Sequence, residues 1–352
     1  MISKEKRLNI IYLCTAEKGP SGGAKNIYNH SEKINKLKIK KLSSQVLHIK
    51  KNKVSKLNTS IKKVLKISNK SYSGWGIKDI KPIDNFKSKW LKSNIRLKKN
   101  FIFEKDKDFL IFPEIFAHLA KDLCLNKNIS YGIFVQNGYS LNSTSNHKVL
   151  DEVYNKAKFI LSYSKNISDC VKIAFPKVKN KIIKTNISIN IEKFHSHVKK
   201  KNIITYMPRK LPSHSNNLIF FLKKHLPTKW KLKSLHNLNE RDVYKNLKLS
   251  KFFLSFSELE GLGMPPIEAA LAKNIVIGYP GEGGKEYWKK PLFNEIPQGN
   301  IIKFFSEIMI NIKKRKKYSF EKYRKKLVEK YSTKNELKYL KQMINKIKSQ
   351  DK

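Results

Sequence analysis

Acidic residues are scarce in this chain: 27 Asp and Glu stand against 75 Lys and Arg, a formal net charge of +48 at pH 7. Such an excess draws a protein towards polyanions, either nucleic acid or anionic lipid. Arginine is scarcer still, supplying only six of the 75 cations. It is the side chain suited to bidentate contacts with phosphate and guanine. Lysine scattered among Asn and Ile reads as a solvated surface with weak, salt-sensitive adhesion to anionic membrane, and no specific nucleic-acid partner is expected. The three cysteines, Cys14, Cys124 and Cys170, lie far apart. That spacing excludes a zinc knuckle and an even disulfide framework and fits a reducing cytoplasm. No apolar run approaches the ~20 residues of a membrane-spanning helix. Lys4, Lys6 and Arg7 before Leu8–Cys14 imitate a signal peptide, but Glu17-Lys18-Gly19-Pro20 is a poor cleavage context, so a first strand is expected there.

What is present is enough apolar material for ordered cores: 40% hydrophobic and 11% aromatic residues over 352 positions, about two domains' worth. The most informative stretch is Ser255 to Ala270. It lies between two short apolar runs, Phe252–Phe256 and Ile275–Tyr279, each suited to a buried strand. Pro265 and Pro266 fit a first helical turn, where a missing N–H costs nothing. The unit is therefore strand, glycine-bearing loop, helix, strand, a parallel crossover. Amides of Gly261, Leu262, Gly263 and Met264 at the helix start would seat an anion. Glu260 and Glu268 bracket that seat, which suits a ligand carrying hydroxyls beside its phosphates. Taken singly, Glu268 could instead complement the helix dipole and Glu260 could be a solvated loop residue.

The same alternation runs along the whole chain. Leu8–Cys14 is expected to be a strand running into Gly19-Pro20-Ser21-Gly22-Gly23, with a helix over about 25–37. Glycines there allow positive φ and close approach of a ligand, although the spacing matches neither a dinucleotide fingerprint nor a Walker A loop. Val46–Ile49 is a second strand. The Lys-rich stretch 51–100, with Trp75 and Trp90 as anchors, is where acceptor recognition is expected. Strands at 108–112 and 129–135 end in Glu114 and in Gln136-Asn137, which makes these three candidate cleft or acceptor residues. Asp106-Lys107-Asp108 has the form of a D-x-D metal motif but reads as a charged turn before its strand. A further strand at 159–163 and a helix at 165–174 follow. His195-Ser196-His197 has no metal-ligand company. Strands are then expected at 203–207, 231–235 and 252–256, with helices at 216–226 and 240–248. Arg209 and Lys210 stand at the first of these strand ends. Gly281 to Glu286 forms a glycine-rich turn beside the first one, and residues 301–349 form two or three amphipathic basic helices.

These features resemble the family-4 type of retaining glycosyltransferase with the two-domain GT-B fold. The resemblance is carried by Gly22-Gly23 after strand one, the linker-like Ile187–Phe194, Arg209, the pair Glu260-x7-Glu268, and Gly281–Glu286. It implies an α/β fold of two Rossmann-like parallel-sheet domains facing a cleft. Their expected bounds are 1–193 for the acceptor-binding domain and 194–300 for the donor-binding domain. Helices at 301–352 would pack partly back on the first. It further implies transfer of a sugar from a nucleotide-sugar to a glycan or lipid-linked acceptor with retention, in surface polysaccharide assembly. Neither metal nor cofactor is implied, and the expected location is the cytoplasm with peripheral contact at the inner membrane face. In the family pattern Arg209 and Lys210 would hold the diphosphate. Glu260 would meet the donor sugar and Glu268 the ribose, and Gly22, Gly23, Gly261 to Met264, Gly283 and Gly284 would line the donor site. The relatives space the Arg and Lys apart and often place a His near Gln136, and this chain does neither. Two alternatives are a basic nucleic-acid-binding protein and a GT-B-fold sugar-nucleotide epimerase. The epimerase would need a first-domain carboxylate, for which Glu114 is the candidate.

Overall fold

The structure is a computed structural model that describes residues 7–16, 19, 21–52, 76–86, 88, 90, 93–142, 146–194, 198–313 and 320–349. Most of the stretch assigned to acceptor recognition, including Trp75, and the His195-Ser196-His197 triplet lie outside the described residues. The chain forms two compact units. Residues 1–163, 167–185 and 337–352 make the first, and 164–166 with 186–336 the second. The second unit thus starts at Asn186, ahead of the expected boundary, and takes two of the three C-terminal helices with it.

The first unit is built on strands β1 (Leu8–Thr15), β2 (Leu42–Lys51), β3 (Ile80–Pro82), β4 (Asp108–Pro113), β5 (Tyr131–Val135), β6 (Ile160–Ser162) and β7 (Ile182–Lys184), in the order β3-β2-β1-β4-β5-β6-β7. Every pairing is parallel except β2 with β3. Strands buried on both faces read as unbroken apolar runs, and Ile10 to Leu13 and Phe109 to Phe112 are buried accordingly. The helices are α1 (Gly22–Lys36), the single turn α2 (Ala120–Leu123), α3 (His147–Lys156) and α4 (Lys165–Ala174). Between β4 and β5 a 3-10 stretch Glu114–Leu119 leads into α2. The Asp106-Lys107-Asp108 motif is a turn lock. Asp108 accepts from Glu104 N–H and from Asn9 Nδ2, both at 2.9 Å.

The second unit has strands β8 (Lys201–Tyr206), β9 (Lys231–Ser234), β10 (Ser250–Ser257), β11 (Ile275–Pro280) and β12 (Phe293–Glu295), all parallel, in the order β12-β11-β10-β8-β9. Its helices are α5 (Pro212–His225), α6 (Glu240–Leu249), α7 (Met264–Leu271), α8 (Ile301–Lys313) and α9 (Glu321–Lys330). The last helix, α10 (Thr333–Lys348), leaves the second unit at Glu336 and runs on into the first, where Met343 Sδ accepts from Tyr12 OH. At the far end of the second sheet Lys200 Nζ caps helix ends, donating to the carbonyls of Leu247, Ser250 and Ala272. Burial, then the charges of Arg324 and Lys273, push its pKa down to about 7.

A polar pair in the first core makes a pH prediction. His48 on β2 is fully buried, its Nδ1–H donating to Thr15 O at 3.0 Å and its Nε2 accepting from Tyr28 OH at 2.7 Å. Burial pushes its pKa down to about 4, with the Thr15 carbonyl opposing. A depressed folded pKa means that the unfolded chain takes up the proton first. His48's contribution to stability is therefore complete above pH 6.5 and declines as pH falls towards 4. We expect its imidazole NMR resonances to stay unchanged from pH 7.5 to 5.5; titration near 6.5 would contradict the buried neutral ring.

Candidate functional site

Strand order decides where each unit can bind a ligand. In the second sheet β8 connects outward through α5 to β9, while β10 lies on its other side and continues to β11 and β12. The loops after β8 and β10 therefore diverge, and an open α/β sheet binds ligands outside the carboxyl ends of its strands at such a switch point. Arg209 and Lys210 lie in the loop after β8, and Glu258 to Gly263 in the loop after β10. Lys210 Nζ meets Glu260 Oε1 at 2.9 Å across the switch, so the two loops share one charge pair. Arg209 is exposed and forms no ion pair with the described residues.

The β10 loop is held by backbone packing. Gly263 caps α7 with φ 77° and ψ 76°, a conformation glycine adopts without penalty, and its carbonyl accepts from the buried Tyr287 OH at 2.6 Å. The Gly261 carbonyl accepts from Ser164 Oγ at 2.6 Å. The turn after β11 lies directly on this loop: Gly283 N–H donates to Glu260 O at 3.0 Å and Glu282 N–H to Glu258 O at 3.2 Å. Gly283 and Gly284 were expected to contact the donor, yet both are buried and pack on the loop. A Cβ on Gly283 would stand 2.0 Å from the Gly261 carbonyl oxygen. Leu262 is buried too, its side chain given to the core. The amides of Gly261 to Met264 donate to no acceptor among the described residues, whereas Pro265 and Pro266 have none to offer.

Glu268 is the fifth residue of α7 and 7% exposed, so it sits beyond the first turn and is no solvated dipole partner. Glu286 does not face outward either. It accepts from Lys165 N–H at 2.9 Å and from Lys330 Nζ at 2.8 Å, both residues of its own unit.

In the first unit the equivalent switch falls between β1 and β4, which part towards β2 and β5. Gly22 and Gly23 stand within the first turn of α1, not in a turn ahead of it, and neither has positive φ. Ser21 caps the helix, accepting from Ala24 N–H at 3.3 Å. What the glycines provide is space. A Cβ on Gly22 would meet nothing within 4 Å, and one on Gly23 would touch the Gln136 side chain at 3.5 Å. Gln136 Oε1 in turn accepts from the buried Asn26 Nδ2 at 3.2 Å.

Glu114 was expected to face a ligand and instead lies 5% exposed beneath the loop. Its Oε2 accepts from Gln136 N–H at 2.9 Å and its Oε1 from Asn137 N–H at 3.1 Å. Burial pushes its pKa up to about 7, opposed by those amides. Both oxygens hold backbone, so the first-unit carboxylate that an epimerase would need is engaged elsewhere. Asn137 Oδ1 caps the following turn through Tyr139 N–H at 3.0 Å. Asn26, Tyr163 (whose OH donates to Gln136 O), Ser164 and Tyr287 had no signal in the sequence, because each reaches a partner distant along the chain.

Among the described residues no group of three His, Cys, Asp or Glu side chains is placed to hold a metal ion, and no helix is long and apolar enough to cross a membrane. No family model and no curated protein matches the sequence. Solved structures do match over nearly the whole chain. The Anabaena protein HepE, solved in complex with UDP, is 10% identical, with 97% of this chain and 100% of that one covered at a TM-score of 0.63. TarM of S. aureus is 13% identical over 98% and 99% at a TM-score of 0.63. Sucrose-phosphate synthase of Thermosynechococcus elongatus is 8% identical over 97% and 99% at 0.61. At such identities the likeness speaks for architecture, and with the two parallel sheets described above it gives this chain the GT-B fold.

Proposed function

We propose that this chain is a glycosyltransferase that moves a sugar from a nucleoside-diphosphate sugar to a hydroxyl of a glycan or lipid-linked acceptor. The observation that carries the reading is the switch point of the second sheet, where the loop after β8 with its exposed Arg209 and the loop after β10 with four amides at the head of α7 are joined by the Lys210–Glu260 pair. Transfer breaks the bond between the anomeric carbon and the diphosphate and joins that carbon to the acceptor oxygen. Negative charge develops on the departing phosphate. Arg209 and the amides of Gly261 to Met264 supply fixed donors for it, the kind of preorganised stabilisation that dominates such barriers. The same reading assigns Gly22 and Gly23 to a donor phosphate, Glu260 to sugar hydroxyls and Glu268 to the ribose. Retention of configuration and a role in surface polysaccharide assembly come with the family resemblance. The neighbour solved with UDP puts uridine nucleotides first among donors to try.

A thermal-shift panel of nucleotides and nucleotide-sugars tests this directly. We expect one nucleotide series to raise the melting temperature in a concentration-dependent way, as binding to the native state requires. Transfer should proceed unchanged in EDTA. A panel in which no nucleotide shifts the melting temperature would overturn the donor assignment, and strict Mn²⁺ dependence would overturn a metal-free site.

A further inference from the structure

The outward faces of α5 and α8 carry large apolar side chains where helices flanking a sheet normally carry polar ones. Leu218, Ile219 and Leu222 of α5 face the core, leaving Phe220 and Phe221 outward and 56% and 41% exposed. Phe304 and Ile308 of α8 do the same, leaving Ile302 and Ile310 at 79% and 45%. The two helices pack against each other, and the His225 ring stands edge-on to Phe305 at 5.5 Å. His225 is one turn from Phe221 and Phe305 one turn from Ile302, so that contact joins the two faces. Isolated exposed apolar residues are ordinary, whereas a group of four on adjacent helices marks an interaction surface.

Its rim is cationic. Lys223 and Lys224 follow the phenylalanines, with Lys224 Nζ 5.0 Å from the Phe220 ring centroid, and Lys303 follows Ile302. Helix α5 contains no acid, and the one acid of α8, Glu307, accepts from Asn311 Nδ2 at 2.8 Å. From Glu192 to Glu240 the sequence holds eleven lysines and arginines and no intervening acid. A second copy of a chain carrying +48 would be repelled from such a rim. We propose that the α5–α8 face docks on an anionic phospholipid bilayer. Its rings and branched chains enter the acyl boundary while the lysines extend to the lipid phosphates. This docking does not depend on the transferase reading, and its test needs no sugar substrate.

The test is co-sedimentation of the full chain with vesicles of phosphatidylglycerol and phosphatidylcholine, compared with phosphatidylcholine alone. We expect binding to the anionic vesicles that weakens in high salt, since each lysine near the surface is attracted electrostatically. Lys223→Glu/Lys224→Glu and Phe220→Ser/Phe221→Ser should each weaken it about ten-fold or more. Lys325→Glu/Lys326→Glu, a matched change on exposed positions of α9, should leave binding nearly intact. All these sites are exposed, and an unchanged melting temperature verifies each variant's fold. Equal weakening by the α9 control would reduce the effect to overall charge and overturn the assignment. So would absence of binding to anionic vesicles, or a wild-type dimer that Phe220→Ser/Phe221→Ser dissociates without lipid.

Discussion

Arg209→Ala is expected to lower kcat/KM for sugar transfer by about 10²- to 10³-fold, the usual loss when one preorganised donor to a developing oxyanion is removed. The melting temperature should not move, because the guanidinium is exposed and forms no ion pair with the described residues. Arg209→Lys should recover only part of the loss, since an ammonium cannot reproduce the planar two-pronged contact with a phosphate. Glu260→Gln should produce a comparable fall by a different route. It keeps the shape of the side chain but removes the charge that Lys210 meets at 2.9 Å and weakens acceptance from sugar hydroxyls. Steady-state kinetics on the purified variants, once the panel has identified a donor, make the check. Wild-type kcat and KM in Arg209→Ala would remove the phosphate role from the β8 loop.

Gly283→Ala is expected to damage both fold and activity. The added carbon would sit 2.0 Å from the Gly261 carbonyl oxygen and 2.7 Å from that of Glu260, both backbone atoms that cannot rotate aside. Overpacking of this kind costs ~1–3 kcal/mol. In a unit of this size that lowers the melting temperature by roughly 2–4 °C per kcal/mol. Relief requires the β11 turn to move off the β10 loop, breaking the Gly283 N–H to Glu260 O bond and displacing the residue that pairs with Lys210. Transfer should therefore fall by at least the ten-fold or more that misplacement of a charged group costs. Gly22→Ala is the control for stability: a Cβ there meets nothing within 4 Å, so its melting temperature should stay level. A Gly283→Ala protein as stable and active as wild type would mean that the two loops are not packed as described.

Much of this arrangement was legible along the chain because it follows from local periodicity. Apolar runs bounded by Gly and Pro mark β1, β4, β10 and β11, and the residues at their carboxyl ends were the natural candidates. Short edge strands were not legible: β3, β7 and β12 are three residues each and carry no alternation to read. Helix α3 was also missed. Glu114, Gly283 and Gly284 were found as residues, but their burial and their contacts with backbone were not, since a buried carboxylate and a packed glycine look the same in a sequence as exposed ones.

Composition and spacing by themselves determined an alternation of strands and helices over about two domains' worth of chain, with glycine loops at strand ends and a surplus of lysine. Those properties depend on neighbours a few positions apart, while the grouping into two parallel sheets came with the family resemblance. Only the tertiary structure decided that β8 lies between β9 and β10, that Lys210 reaches Glu260, and that Ser164 and Tyr287 hold the carbonyls of the α7 loop. The reason is physical: parallel strands are paired through crossovers, so the groups they align are tens of residues apart and no local pattern records which will meet.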